Sequence, residues 1–135
     1  MKPLSARYEA IQTLLSLLDL SLKKSRLEES GDFFDLFRDA TIHRFKLSVD
    51  AFVEYLKGYL DKMGVAVKTS SPIAVFDECL KADLISKQEF EALSNMLKDY
   101  TRIPDAYTDD LAQEIYLKIP QYYDLMKSLL GRHSV

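Results

Sequence analysis

The chain has 135 residues, of which 47% are hydrophobic and 29% charged, with only four glycines and four prolines. This composition excludes a disordered tail and argues against a loop-rich or all-β protein. A net charge of −3 gives no global sign of a nucleic-acid-binding surface, although it leaves room for a local basic patch. The length predicts one domain over residues 1–135.

The first two predicted helices are long. The first runs from Ser5 into the mid-twenties, where apolar residues recur at the three-four spacing of a buried face: Tyr8, Ile11, Leu15, Leu18 and Leu22. The second is predicted from about Phe33 to about Met63. Its buried face is marked by Phe37, Phe45, Val49, Phe52, Leu56, Leu60 and Met63. Gly58 is a candidate weak point in this helix, and Gly64 is expected to stop it.

The third predicted helix is short. Residues 65–69 resemble a strand, but no second segment offers a partner strand, so we interpret them as an extended connector. Ser71 and Pro72 then have the residue types of an N-cap and a first helical turn. A third helix is therefore expected to begin there.

Two more helices complete the chain. Ser86 and Glu89 are spaced as a capping box and predict the start of the fourth helix. Pro104 is expected to end it, because the residue before a proline avoids the helical region. A fifth helix is predicted after Thr108, and Pro120 is expected to kink or split it. The sum of these elements is an all-α bundle with short loops.

The side chains offer little catalytic or metal-binding chemistry. His43 and His133 lie far apart, and neither Cys-x-x-Cys nor His-Glu-x-x-His occurs, so we predict no metal site and no cofactor. The single cysteine, Cys79, follows Asp77 and Glu78, and acidic neighbours raise the pKa of a thiol rather than activate it. We expect a half-buried structural cysteine.

Cysteine content and the amino terminus both indicate the compartment. One cysteine cannot form an intramolecular disulfide, which suits a reducing cytosol. Residues 1–10 include Lys2, Arg7 and Glu9 and lack the apolar run of a signal peptide. No apolar run approaches the ~20 residues needed to cross a bilayer. We therefore predict a cytoplasmic protein that does not enter a membrane.

Three groups of segments, in this order, carry a resemblance to a known family. The first is DATIHRF at 39–45, with SVDAF at 48–52 and YLK at 55–57. The second is GVAV at 64–67, followed by Ser-Pro at 71–72 and Val-Phe at 75–76. The third is ADLI at 82–85, DYTRIPDAY at 99–107 and Ile-Pro at 119–120. The chain resembles the nucleotidyltransferase substrate-binding protein family, part of the HEPN superfamily, over nearly its whole length.

The resemblance implies a fold and a partner. The implied fold is an all-α, HEPN-like, up-and-down four-helix bundle with an additional short helix, which forms a homodimer or a larger assembly. The implied partner is a small, separately encoded minimal nucleotidyltransferase. Some superfamily members are toxins that cleave RNA with an Arg and a His facing a groove between subunits. In some such pairs the transferase is an antitoxin that attaches AMP to the motif tyrosine, which matches Tyr107 here.

The family motif is degenerate in this chain. Many members carry Arg-Asn, three residues, then His-x-Tyr, and here Tyr100, Thr101 and Asp105 replace the Arg, Asn and His. RNA cleavage needs a cation to hold the phosphate and a group of near-neutral pKa to move protons. Tyr100 is uncharged at neutral pH, and Asp105, with a reference pKa of ~3.9, is an anion that repels phosphate. Arg102 is expected to face away from Tyr100, because two helical residues span about 200°.

Three other residues keep two interpretations each. Arg44 matches an arginine common in the family, so it is either a groove residue that contacts nucleotide or partner, or an ordinary ion pair within or between helices. Arg38 has the weaker functional claim, and an ion pair is favoured there. Tyr107 is either a target or contact of the partner transferase or an aromatic residue that packs the bundle.

We predict a non-catalytic partner or substrate-binding subunit of a minimal nucleotidyltransferase, acting as a dimer. Its candidate groove or partner contacts are Arg44, Tyr100, Arg102, Asp105 and Tyr107. Any nucleotide would be contacted through the complex, and the chemistry would belong to the partner. The alternatives are a divergent ribonuclease toxin of a toxin–antitoxin pair and a stand-alone helical dimer.

Overall fold

A computed structural model describes residues 2–69, 71–106 and 108–132. Within these ranges the chain forms five α-helices and no strand, which confirms the predicted all-α class. The helices are α1 (Leu4–Leu27), α2 (Phe34–Lys62), α3 (Pro72–Lys81), α4 (Lys87–Arg102) and α5 (Asp109–Arg132). A 3-10 turn, Ile103–Asp105, follows α4.

The helices form an up-and-down bundle around α2. The short connection 28–33 turns the chain back, so that α1 and α2 pack along each other as the most extensive helix pair. Helix α5 packs against both of them. Helices α3 and α4 pair with each other, α3 also contacting α2 and α4 also contacting α5. Residues 65–69 are an extended connector, as predicted.

The apolar stripes predicted from the sequence form the core. In α1 the side chains of Ile11, Leu15, Leu18 and Leu22 are all buried. In α2 the buried positions include Phe45, Val49, Phe52, Leu56 and Leu60. Two predicted members of the α2 stripe lie at its margin. Phe37 is half-buried, and Met63 is exposed because it is the capping residue beyond the last turn.

Two helices end in the same local structure. Gly64 stops α2, as predicted, with a φ of +85°. Its amide donates to the carbonyl of Asp61 at 3.0 Å, and the amide of Val65 donates to the carbonyl of Leu60 at 2.9 Å. These two bonds make a Schellman motif, which needs a left-handed residue at this position. Helix α3 ends in the same way at Asp83, a non-glycine residue with a φ of +62°.

The predicted start of α4 is confirmed in atomic detail. The Ser86 hydroxyl accepts from the amide of Glu89 at 3.1 Å, and the Glu89 carboxylate accepts from the amide of Ser86 at 2.8 Å. Arg132, in the last turn of α5, forms an ion pair with the same carboxylate. The capping box therefore also fixes the start of α4 to the end of α5. Ser71 is the N-cap residue of α3, but its side chain makes no capping hydrogen bond.

Neither of the two positions expected to weaken a helix interrupts it. Of the kink or split predicted at Pro120, the split does not occur, because α5 is continuous through the proline. Buried residues lie on both sides of the proline, and packing of this stripe stabilises the helix against the loss of one hydrogen bond. Helix α2 is likewise continuous through Gly58. A Cβ at Gly58 would lie 2.8 Å from Nη1 of Arg7, so the glycine gives this arginine room to cross the helix.

Candidate functional site at the α4–α5 junction

The junction between α4 and α5 stays helical further than the sequence suggests. Helix α4 ends at Arg102, close to the predicted boundary, but Ile103 keeps helical angles of φ −56° and ψ −44° before Pro104. The expected reason for the ending is therefore wrong. Pro104 lies early in the 3-10 turn, where a missing N–H is tolerated. The chain leaves the helical region at Ala106, with a ψ of +47°.

Tyr100 connects α4 to the middle of α2. Its hydroxyl donates to the carboxylate of Asp50. Burial, and after it the hydrogen bond to Asp50, raise the pKa of Tyr100 to about 12. A phenol with such a pKa stays protonated at neutral pH. Tyr100 therefore supplies no charge at this position.

Arg102 lies on the opposite side of α4, as the rotation of about 200° predicts. Its guanidinium donates to both carboxylate oxygens of Glu114 in α5, at 2.9 and 3.3 Å, and to Asp99 at 3.1 Å. These carboxylates, Glu114 first, raise the pKa of Arg102 above its ordinary value. The guanidinium is thus engaged within the bundle and turned away from Tyr100.

Asp99 is the residue of this region that our interpretation of the sequence missed. It is only 3% exposed, and it accepts a hydrogen bond from the hydroxyl of Tyr122. The ammonium of Lys118 lies 3.5 Å from the same carboxylate. Burial and the bond to Asp99 raise the pKa of Tyr122. The signal was present, because Asp99 continues the apolar three-residue spacing of Leu93 and Met96.

These groups line a cleft of about 620 Å³ between α4 and α5. The lining residues are Asn95, Lys98, Asp99, Arg102, Lys118, Gln121 and Tyr122. Lys98 is exposed and forms no ion pair with the residues that the structure describes. The cleft therefore combines a buried carboxylate with a polar wall in which three of the other six side chains are cationic.

A second, smaller groove lies on the α2 side of the junction. It has a volume of about 170 Å³ and is lined by Asp39, Ile42, His43, Lys46, Ile103 and Ala106. His43 and Lys46 thus line the same groove as the 3-10 turn. An imidazole and an ammonium are the group types that phosphodiester cleavage needs, although neither occupies a motif position.

The two arginines of α2 contact other helices. Arg44 points toward α1, where its Nη1 donates to the carbonyl of Leu17 at 2.9 Å and to the hydroxyl of Ser21 at 2.7 Å. Arg38 is buried and donates to Asp109, the first residue of α5, at 3.1 Å. Burial alone would lower the pKa of Arg38. The hydrogen bond to Asp109 and the charges of Asp39 and Asp35 outweigh burial and raise this pKa.

The remaining predicted positions differ in what can be said of them. Asp105 is exposed at the end of the 3-10 turn, and its side chain makes no hydrogen bond with the described part of the chain. Tyr107 lies outside the described residues. The structure therefore brings Tyr100, Arg102 and Asp105 into one junction but turns Tyr100 and Arg102 to different helices, and Arg44 faces α1.

Other chemistry is sparse. Cys79 is fully buried, and burial followed by the charge of Glu78 raises the pKa of its thiol to about 12, which leaves an inert thiol at neutral pH. The side chain of Cys79 is thus more deeply buried than the half-buried cysteine that we expected. Among the described residues there is no group of three or more His, Cys, Asp or Glu placed to hold a metal ion. None of the helices described here has the length and apolar character to cross a bilayer.

The comparison with known proteins agrees with the order of the sequence segments. A family model described as nucleotidyltransferase substrate binding protein like matches residues 6–134. The chain belongs to this family. A crystal structure of a protein from Thermus thermophilus is similar to it, with 28% identity and a TM-score of 0.69. The match covers 85% of this chain and 97% of that one. No curated protein matches the chain.

For this nucleotidyltransferase substrate-binding protein-like chain, the junction is built to hold helices together. Tyr100 connects α4 to α2, Arg102 connects α4 to α5, and Arg38 connects α2 to α5. Among the described motif positions, Tyr100 bonds a carboxylate and Thr101 bonds the carbonyl of Lys98, while Asp105 is exposed. Such an arrangement suits binding through the neighbouring grooves better than proton transfer at the motif.

Proposed function

We propose that the chain is the non-catalytic, substrate-binding partner of a minimal nucleotidyltransferase and acts as a HEPN-like homodimer in the cytoplasm. The observation that carries this proposal is the hydrogen bond from Tyr100 to Asp50. A neutral phenol, hydrogen-bonded to the exposed carboxylate of Asp50, stands at the motif position where phosphodiester cleavage would need a cation. Group transfer and any metal would then belong to the partner protein.

An exposed apolar face supports a role in association. Six of the nine exposed large apolar side chains of the described residues come from α1, the α1–α2 connection and α2: Leu17, Leu20, Leu27, Phe33, Leu36 and Leu47. All six belong to one helical hairpin, and exposed apolar surface gathered on one part of a protein is typical of interfaces. We propose that this hairpin carries subunit contacts, either with a second copy or with the transferase.

Co-purification tests the proposed function. A tagged chain, expressed in its own cells, should co-purify with a nucleotidyltransferase in a fixed molar ratio. Its mass from light scattering should correspond to a dimer or a larger assembly. Leu36→Glu should disrupt the assembly, whereas Leu117→Glu, at a similarly exposed leucine of α5, serves as the control. A monomer without any transferase would contradict the proposal. A mass gain of one AMP at Tyr107 would instead favour the toxin–antitoxin alternative.

One observation favours that alternative, a divergent ribonuclease. His43 and Lys46 line the groove beside the 3-10 turn, so an imidazole and a cation are present near the junction even though the motif is degenerate. Purified protein that cleaves RNA would establish this function if His43→Ala and Lys46→Ala remove the cleavage. His133→Ala is the matched control, because it changes the other histidine of the sequence. We expect no cleavage by the unmodified chain.

A further inference from the structure

Three of the seven side chains that line the cleft between α4 and α5 are cationic and can only donate hydrogen bonds: Lys98, Arg102 and Lys118. Asp99 is the one lining side chain that only accepts when ionised. Both of its oxygens are engaged: Oδ1 by Arg102 and Oδ2 by Tyr122, with Lys118 nearby. With this carboxylate already engaged, the cleft offers a new ligand the N–H donors of Lys98 and Lys118, and an anion is the ligand that such cationic donors bind best.

The charges around the cleft also favour an anionic ligand. Three cations, Lys98, Arg102 and Lys118, meet two carboxylates, Asp99 and Glu114. One positive charge is left over, and Lys98 is the cation without an ion pair among the described residues. Lys118 is half-exposed and 3.5 Å from Asp99, so it can turn toward a bound anion with little rearrangement.

An apolar groove lies on the other side of Lys98. It has a volume of about 410 Å³, and Lys98 belongs to its lining as well as to that of the cleft. Pro72, Ile73 and Leu97 supply its apolar surface, and Ile73 is 44% exposed. One lysine thus separates a donor-lined cleft from an apolar surface. A ligand with an anionic part joined to a flat apolar part would use both.

We propose that this surface binds a nucleoside phosphate. The phosphates lie in the cleft on Lys98 and Lys118, and the base packs on Ile73 and Leu97 in the apolar groove. Identifying this ligand as the substrate of a partner transferase rests on the proposed function, whereas binding itself is a property of the single chain. Each of the two volumes, about 620 and about 410 Å³, lies within the ~300–1,000 Å³ usual for a small-molecule site.

Three probes separate the two halves of the site. ATP, adenosine and inorganic triphosphate are each titrated into the full chain by isothermal calorimetry in magnesium-free buffer. ATP should bind more tightly than either of the other two. Equal binding of adenosine would overturn the phosphate cleft, and equal binding of triphosphate would overturn the apolar groove. Absence of ATP binding would overturn the whole proposal.

Surface substitutions test the residues without disturbing the core. Lys98→Gln with Lys118→Gln should weaken ATP and triphosphate binding about tenfold or more, because each removes a charge-assisted contact. The matched control, Lys24→Gln with Lys62→Gln, makes the same charge change at exposed lysines elsewhere and should leave both affinities unchanged. An equal loss in both pairs would show non-specific attraction and overturn the assignment. Ile73→Ser should weaken ATP but not triphosphate.

The same preparations distinguish this inference from the proposed function. If a transferase co-purifies with the chain and ATP does not bind, the nucleoside-phosphate site is wrong and the partner role stands. If ATP binds with the expected dependence on Lys98 and Lys118 but no transferase co-purifies, the partner role is wrong and the site stands. Far-UV circular dichroism of each variant verifies that a loss of binding is not a loss of fold.

Discussion

The hydroxyl of Tyr100 donates to the carboxylate of Asp50, which fixes the end of α4 to the middle of α2. Two residues later, Arg102 donates to Glu114 and fixes the same turn to α5. The motif region is thus held from both sides by side chains that bind carboxylates of the bundle. Used in this way, the side chains of Tyr100 and Arg102 stabilise the fold rather than wait free for a substrate.

Replacing Tyr100 with Phe should lower the stability of the protein. The variant keeps the ring and loses only the bond to Asp50, and a net loss of about 0.5–1.5 kcal/mol in the free energy of unfolding is expected for one such hydrogen bond. Urea denaturation measures this loss. Tyr123→Phe is the control, because that hydroxyl makes no hydrogen bond with the described residues and its ring stays over Lys127. Equal stability of the two variants would show that the Tyr100 bond contributes nothing.

The ion pair between Glu89 and Arg132 should make the protein sensitive to acid. Arg132 first, and the capping bonds after it, lower the pKa of Glu89 from 4.5 to about 2. Since the folded state holds the ionised form more tightly than the unfolded chain does, this stabilisation is present above pH 4.5. It is lost as the pH falls toward 2.

Glu89→Gln should therefore reduce the loss of unfolding free energy that occurs as the pH falls below 4.5. The amide can still accept from the backbone of Ser86, so the cap is preserved while the titrating charge is removed. Urea midpoints measured above pH 4.5 and near pH 2 should converge more closely for the variant than for the unmodified chain. Glu91→Gln, at an exposed carboxylate of the same helix, should leave this loss unchanged. If both variants behave alike, the Glu89 pair does not control the acid response.

The two interpretations of Arg44 lead to different results for its alanine variant. Arg44 donates to Leu17 and Ser21 of α1, so Arg44→Ala should cost about 1–2 kcal/mol of unfolding free energy. A double-mutant cycle with Ser21→Ala should give a coupling energy of about 0.5 kcal/mol or more. Unchanged stability with a loss of transferase binding would instead assign Arg44 to the partner groove.

Most of the helix boundaries could be predicted from local chemistry. The Ser86–Glu89 box and the stop at Gly64 depend on residues close in sequence, and both are confirmed. The errors arose where packing outweighs local preference. Pro120 lies within a stripe that the core buries on both sides, so α5 continues through it, and Ile103 stays helical before Pro104.

The candidate site was predictable only in part. Helical rotation predicts that Tyr100 and Arg102 face apart, but not which helices they meet. The partners lie far along the chain: Asp50 is 50 residues from Tyr100, and Tyr122 is 23 residues from Asp99. No periodicity within one helix determines such pairs, because they depend on how the helices rotate against each other. For the same reason, the sequence did not show that Lys98 borders two grooves.

Gly64 and Gly131 offer a matched test of backbone conformation. At both positions an added Cβ would meet no atom within 4 Å, so crowding cannot contribute. Gly64 has a φ of +85°, which L-residues rarely adopt, whereas Gly131 lies in the last turn of α5. Gly64→Ala should therefore lower the free energy of unfolding by about 1–2 kcal/mol, through strain alone.

Gly131→Ala should have the opposite sign. Alanine at a helical position loses less conformational entropy on folding than glycine does, so the variant should be more stable by up to about 0.5–1 kcal/mol. Thermal and urea denaturation of both variants measure the pair. A loss of stability at Gly131 as large as that at Gly64 would show that a methyl group at either exposed site is harmful in itself. Such a result would contradict the explanation that α2 ends at Gly64 because this residue adopts a left-handed conformation.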